Sequence, residues 1–507
     1  MSLFPADTSQ IYMFLDICAT VSEWVNMNKI EDITKEMDPI YIRYLLHASL
    51  GLTCLLYPFL SLGILVLIMF FMLLILRRLS RRSRLYQILS TKENGNNLPQ
   101  KPIDKGLRSA NNLVLSILLL LLFKYGFSLE GVTFPIYVIG GAVAISTFGI
   151  ASANLFKYWK QTQLKCLARL DYPEKRYKGE DSEVFHLPSS LVMLIVGIIS
   201  AFLVGAWIIH WEKINVSYDM IFFIAVIGSV TGALFESIPS RVDDNISIVF
   251  GSGMAMWLFS SFGYTVPPAH MFFALLFSLL LGYLAYRAHI ADISALLGAS
   301  LLGVLIIVFA DIFWFLLLLT FFILGGGFTK YKYAYKASIG IAEAKGGVRS
   351  YENVFSNSMA ALVLAIAYGI YPQYSEVIMY SYLGTVATAT GDTLASEIGT
   401  TSKERPRMIT TFKPAKPGRD GAVTILGELA CIFGSLVIAV LAILFGRVEN
   451  IYLGLLITGL GGFIGTNIDS LLGATLQNRG ILSNSGVNFY ATFAGAVVSG
   501  LLFLSLS

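Results

Sequence analysis

The chain has 507 residues, 56% of them hydrophobic and only 13% charged, about half the charged fraction of an ordinary soluble domain. Apolar runs without a single Asp, Glu, Lys or Arg, such as 61–76, 187–209 and 312–324, exclude a soluble fold and predict an all-α, polytopic transmembrane bundle. The net charge of +4 is an ordinary positive-inside excess and gives no support to nucleic-acid binding.

Residues 1–43 read as a cytoplasmic N-terminal segment. Acids and bases are interspersed there and no basic stretch precedes an apolar core, so neither a cleaved signal nor a transit peptide is expected. About fifteen spans follow, or fourteen if the run broken at Tyr57-Pro58 counts once. They are 44–56, 59–76, 108–126, 134–156, 187–209, 218–236, 246–262, 268–287, 290–308, 312–329, 355–371, 375–391, 421–446, 450–468 and 487–506. Basic residues cluster in 77–105, 157–178, 330–349 and 403–419, all on one side of this map, while the opposite loops are short and nearly free of Lys and Arg. That alternation places the N-terminus and the polar loops in the cytoplasm, with a microbial cell membrane as the expected location. A polar hinge at 287–290 divides the chain into a 44–286 half and a 290–507 half, the second carrying most of the dense polar strings.

In the first half, Glu236 ends a span and Asp243-Asp244-Asn245 opens the next. This turn has the oxygens to bind a divalent cation, but Asx capping of the following helix is the somewhat better reading. His47 and His186 have no partner His at metal spacing and read as structural. The four cysteines, Cys18, Cys54, Cys166 and Cys431, are scattered without a C-x-x-C, which argues against a zinc site or a disulfide framework.

The second half is richer. The loop 340–349 is basic and carries Gly346-Gly347, where backbone N–H groups can approach an anion; Lys345 and Arg349 supply charge. It leads to Asn357-Ser358. The string 391–399 sets Asp392 and Glu397 among Gly, Thr and Ser at a helix end, a costly place for acids unless something pairs with them. Both are hard oxygen ligands of the kind Mg²⁺ takes. In a regular helix Glu397 lies about 140° around from Asp392, so only a broken helix would let both reach one metal. The same Asp–hydroxyl–Leu–any–small pattern recurs at Asp469-Ser470-Leu471-Leu472-Gly473, with Asn467 nearby as a possible neutral ligand. Two carboxylates placed alike make a better case for a metal site than either alone. Between them, Lys413, Lys416 and Arg419 in a Pro/Gly-rich loop entering a helix suit phosphate; a positive-inside anchor is the plain alternative. Asn484 and Asn488 open the last span with two amides. Glu428, about two turns inside the span from 421, has no assigned role. The Gly325-Gly326-Gly327 run suits close helix packing.

At these strings the chain resembles a known family. Stretches 340–349, 391–399, 407–411, 421–427, 469–477 and 484–488 are similar to the integral membrane family that includes plant phytyl-phosphate kinase. The resemblance implies phosphoryl transfer from a nucleoside triphosphate to an isoprenoid monophosphate. Residues 1–286 resemble, more faintly, the CTP-using dolichol kinase and phytol kinase family, through 43–47, Glu236 and Asp243-Asp244-Asn245. They depart from that family at 147–152, where an expected Gly-Asp pair has no acid, and at 186–190, where a Lys-Ser-rich string is replaced. Lost catalysis, a changed substrate and a scaffold all fit this departure.

The combined expectation is a membrane kinase of prenyl phosphates using a nucleoside triphosphate, by the resemblance CTP, and Mg²⁺ held by Asp392 and Asp469. The fainter resemblance of the first half implies coupling to phosphorylation of the prenyl alcohol. A nucleotidyltransferase making a CDP-activated lipid needs the same parts. A transporter or flippase of an anionic isoprenoid lipid is expected to put its polar groups near the midplane, and Glu428 is the one residue that speaks for it.

Overall fold

In the computed structural model the chain is described over residues 39–79, 105–129, 133–169, 189–238 and 242–507. The N-terminal segment up to 38, much of the two basic clusters 77–105 and 157–178, Cys18 and His186 lie outside the described residues. The fold is an all-α membrane bundle, with one short hairpin of two-residue strands among the described residues.

Every predicted span is helical. Among the described residues ten helices are long and apolar enough to cross a membrane, and the apolar stretches Tyr41–Leu56, Leu62–Arg77 and Ile293–Phe309 are shorter. Asp244–Ser261 and Ser375–Gly399 are as long but more polar. The chain divides into two compact units, Met1–Thr265 and Val266–Ser507. The sequence hinge at 287–290 falls inside the second unit, because helix Pro268–Arg287 packs on Ile293–Phe309.

The first unit contains α1 (Pro39–Gly51), α2 (Leu62–Arg77), α3 (Lys105–Leu129), α4 (Ile136–Ala144), α5 (Ile150–Arg169), α6 (Ser189–Trp211), α7 (Tyr218–Ser237) and α8 (Asp244–Ser261). Helices α4 and α5 are joined by a π-helical turn, Ile145–Gly149. Every residue of α4 is buried, as expected of a helix apolar all round.

The second unit contains α9 (Pro268–Arg287), α10 (Ile293–Phe309), α11 (Ile312–Lys330), α12 (Tyr333–Ser338), α13 (Tyr351–Ile370), α14 (Ser375–Gly399), α15 (Ile425–Leu444), α16 (Ile451–Leu472) and α17 (Asn484–Leu506). The buried helix α14 is its centre, packed against α11, α13, α15, α16 and α17. Its run of Gly, Ala and Thr explains that position. The Thr388 hydroxyl is satisfied within its own helix by Gly384 O at 2.8 Å, so its face is compact and can meet another backbone. A Cβ added at Gly465 or Gly495 would lie 2.1 or 2.0 Å from the Thr388 Oγ1. Only glycine there lets α16 and α17 approach so closely, the small-residue packing that joins helices in membranes. At one end of α14, the Tyr382 hydroxyl donates to Trp314 O at 2.7 Å. At the other end α14 carries Asp392 and Glu397 into a polar cavity.

Candidate functional site

The cavity holds about 310 Å³ and is lined from α12 through α17 and the connections between them. Asp392 comes from α14 and Asp469 from α16. Their carboxylates lie within hydrogen-bonding reach of each other. Two half-buried acids this close repel unless a proton or cation is shared between them. The Arg349 guanidinium acts on Asp392 from the α12–α13 connection. With its amide oriented to satisfy its neighbours, Asn488 donates to Asp469 Oδ2 and Asn484 O, and accepts from Asn357 Nδ2, each at 3.3 Å.

Local sequence explains how these groups arrive. Arg349 is fixed by its backbone: its N–H donates to Ile290 O at 2.8 Å, and its carbonyl accepts from Asp292 N at 2.9 Å. Its Nη2 donates to Thr329 Oγ1 at 3.3 Å. Gly325 leaves it room, since a Cβ there would lie 3.3 Å from that nitrogen. Arg419 and Asp420 reach the cavity on the α14–α15 loop. Strands β1 (Arg407–Met408) and β2 (Ala422–Val423) pair antiparallel within it. Gly421, at φ +76°, closes the loop on α16, where a Cβ would lie 2.6 Å from Ser470 O.

The structure brings together Asp392, Asp469, Glu397, Arg349, Arg419, Asn484 and Asn488, all of which line the cavity. Other placements differ from expectation. Glu397 is paired with Lys336, a residue the sequence reading did not single out. Helix α14 is regular through both acids, so Glu397 lies about 140° around from Asp392 and reaches Lys336 from another part of the same cavity. Asn467 does not face Asp469: two residues apart on α16, the two point about 200° apart. Its amide instead donates to Glu428 Oε2 at 3.1 Å. Glu428 is not deep in a span. Residues 422–423 form β2 and Thr424 caps α15, which begins at Ile425, so Glu428 sits in the first turn and lines the same cavity. Lys413 and Lys416 are exposed and do not line it; the side chain of Lys345 lies outside the described residues. Asn357 lines the cavity, and so does Asn353, which was missed, though its four-residue spacing from Asn357 on α13 was a readable sign of a shared polar face.

In the first unit, Asp243 is the N-cap of α8 and accepts from Asn245 N at 3.0 Å and Asn245 Nδ2 at 2.9 Å. Asn245 also donates to Ser109 Oγ at 2.6 Å. Asp244 occupies the first turn. Glu236 accepts from Lys157 Nζ at 2.5 Å and from the Ser190 hydroxyl. The capping geometry favours the structural reading of Asp243. His47 contacts Ser146 O at 3.2 Å, and Cys54 and Cys431 are buried free thiols.

Among the described residues, no three or more His, Cys, Asp or Glu side chains are grouped to hold a metal. The oxygens at hand are the Asp392–Asp469 pair with the Asn484 carbonyl nearby, while Asn488 turns its N–H groups to Asp469 and Asn484; carboxylate and carbonyl oxygens are hard donors of the sort Mg²⁺ accepts when phosphates and waters complete its shell.

Residues 276–496 match the family described as integral membrane protein DUF92. An uncharacterized membrane protein of Methanocaldococcus jannaschii is 32% identical over 239 residues, covering 46% of this chain and 95% of the relative. Protein PGR of Arabidopsis thaliana is 31% identical over 43% of this chain and 83% of its own length. The chloroplastic protein VTE6 of the same plant is 29% identical over 37% of this chain and 58% of its own. No solved structure matches the chain. The matched region contains all the cavity residues named above and bears out the resemblance of the second half. Through that region, the chain belongs to the integral membrane protein DUF92 family.

Proposed function

We propose that this chain is a membrane phosphotransferase that moves the γ-phosphoryl group of a nucleoside triphosphate, by the family resemblance CTP, onto an isoprenoid monophosphate. The observation that carries the reading is the half-buried Asp392–Asp469 pair facing Arg349 and a cluster of amides in one cavity. Lining acids (Glu343, Asp392, Glu397, Glu404, Asp420, Glu428, Asp469) outnumber the lining bases Lys336, Arg349 and Arg419. An anionic substrate therefore enters favourably only with cations of its own, as a metal-bound nucleotide does.

Asp392 and Asp469 would hold Mg²⁺, with Asn488 orienting the Asp469 carboxylate through its amide N–H. When bound, the metal neutralises charge on the transferring phosphoryl group. Arg349 orients the acceptor phosphate through its planar fork, and Arg419 pairs with the nucleotide phosphates from the loop. An ionised oxygen of the lipid phosphate attacks the γ-phosphorus, the bond to the bridging oxygen breaks, and the nucleoside diphosphate leaves. The acceptor is already an anion, so no general base is required and positioning dominates. Glu428 stands at the mouth of α15 with the other polar groups, which weakens the transport reading that its apparent depth supported.

Purified full-length protein with Mg²⁺, γ-labelled CTP or ATP and geranylgeranyl phosphate tests this. Label is expected in the prenyl diphosphate and lost in Asp392→Asn. Release of pyrophosphate with a nucleotide joined to the lipid would instead make the chain a nucleotidyltransferase. No turnover with either nucleotide would remove the kinase reading. Label transferred to free geranylgeraniol would assign alcohol phosphorylation to the first half, as the fainter resemblance implies.

A further inference from the structure

A second cavity adjoins the polar one, and Arg349 lines both. This cleft, about 60 Å³, runs between α9, α10 and α11, and its walls are apolar almost throughout. From α9 it takes Ser278, Leu281, Gly282 and Ala285, the spacing of one continuous helical face. Helix α11 repeats that spacing from Phe315 to Phe322. Helix α10 contributes Ala295 and Ala299, whose small side chains keep the walls apart.

The cleft has a direction. The backbone of Arg349 is bonded to Ile290 and Asp292 at the α9–α10 turn, so Ala285 lies near it. Ser278 is roughly 10 Å farther along the helix. Helix α10 runs away from Arg349, and α11 runs back toward it, bringing Gly325 against the guanidinium in its last turns. The head of Arg349 turns to Thr329 and Asp392 in the polar cavity. Arg349 also lines the apolar cleft, which fits a side chain whose apolar stem and charged head can serve different surroundings.

We propose that this cleft holds the phosphate-proximal part of the isoprenoid chain, with the lipid phosphate on Arg349 and the reacting oxygen in the polar cavity. The proposal rests on the reading above that the substrate is a phosphorylated isoprenoid. An amphiphile needs an apolar slot that starts at its anion contact, and Arg349 is where the two cavities share a wall. The rest of the tail then leaves along the exposed apolar residues of α9, such as Leu276, Leu280 and Leu284.

The test uses full-length protein in nanodiscs and geranylgeranyl phosphate with a diazirine in its first isoprene units. Photolabel should map by mass spectrometry to α9 and α11, at residues such as Leu281 and Leu319. Unlabelled geranylgeranyl phosphate should displace it, and excess phosphatidic acid should not. Ala299→Leu should reduce labelling at least five-fold and raise KM for the lipid about ten-fold, with KM for the nucleotide unchanged. Label on other helices of the wild-type protein, or displacement by phosphatidic acid alone, would overturn the proposal. Cleft labelling without phosphoryl transfer would keep the tail site and remove the kinase reading; transfer with labelling elsewhere would do the reverse.

Discussion

Lys336 on α12 and Glu397 on α14 form a buried ion pair. The same ammonium donates to Phe328 O at 3.2 Å and Thr329 O at 2.9 Å, so all three of its donors are used. The pair therefore fastens α12 and the end of α11 to the last turn of α14.

Glu397→Gln leaves a buried ammonium without its counter-charge and should destabilise the protein by about 3–5 kcal/mol. Thermal unfolding in detergent measures this. Lys336→Met combined with Glu397→Leu should recover much of the loss, because a buried pair replaced by apolar groups of similar volume is often near neutral. Recovery of stability without Glu397 would mark it as structural.

Asp392→Asn and Asp469→Asn should each lower phosphoryl transfer at least 100-fold, a loss typical of removing a group that acts on the transition state. Neither should lower stability much, since each removes one of two acids that repel across the cavity. Labelled-lipid turnover and unfolding midpoints, read on the same samples, separate the two effects. A variant that folds normally and turns over normally would end the metal assignment.

Arg349→Lys keeps the charge but loses the planar fork. We expect KM for the lipid phosphate to rise about ten-fold or more with a smaller change in the nucleotide KM. Steady-state kinetics with one substrate saturating decides it.

Lys413→Ala with Lys416→Ala should leave both KM values within about two-fold, since exposed charges away from the site act weakly through screened solvent. Cysteines placed at these positions should be modified by a membrane-impermeant reagent only from the cytoplasmic face, as the positive-inside pattern requires.

Asp311 and Arg447 provide a control remote in chemistry. Asp311 caps α11 by accepting from Phe313 N at 2.7 Å and Trp314 N at 3.2 Å, and its other oxygen pairs with Arg447 at 2.6 Å. Asp311→Ala should cost about 1–2 kcal/mol of stability, mostly through the cap, because the pair is partly exposed and contributes little. Kinetics of the folded fraction should be unchanged.

The sequence by itself determined the class of molecule. Apolar runs long enough to span a bilayer have few other uses, so all fifteen stretches could be placed before any packing was known. It also pointed to Asp392 and Asp469 through a short repeated pattern, because an acid set among small residues in a membrane helix is costly without a purpose. Tertiary structure decided the partners. Lys336 lies far from Glu397 in the chain, and nothing local marks it as the counter-ion. The depth of Glu428 depended on where α15 begins, which the pairing of 407–408 with 422–423 fixes. The place of Arg349 between a polar and an apolar cavity depends on backbone bonds to a turn between two other helices. Composition and period report how each segment meets solvent or lipid, whereas ion pairs, caps and cavities arise from groups that only folding brings within a few ångströms of one another.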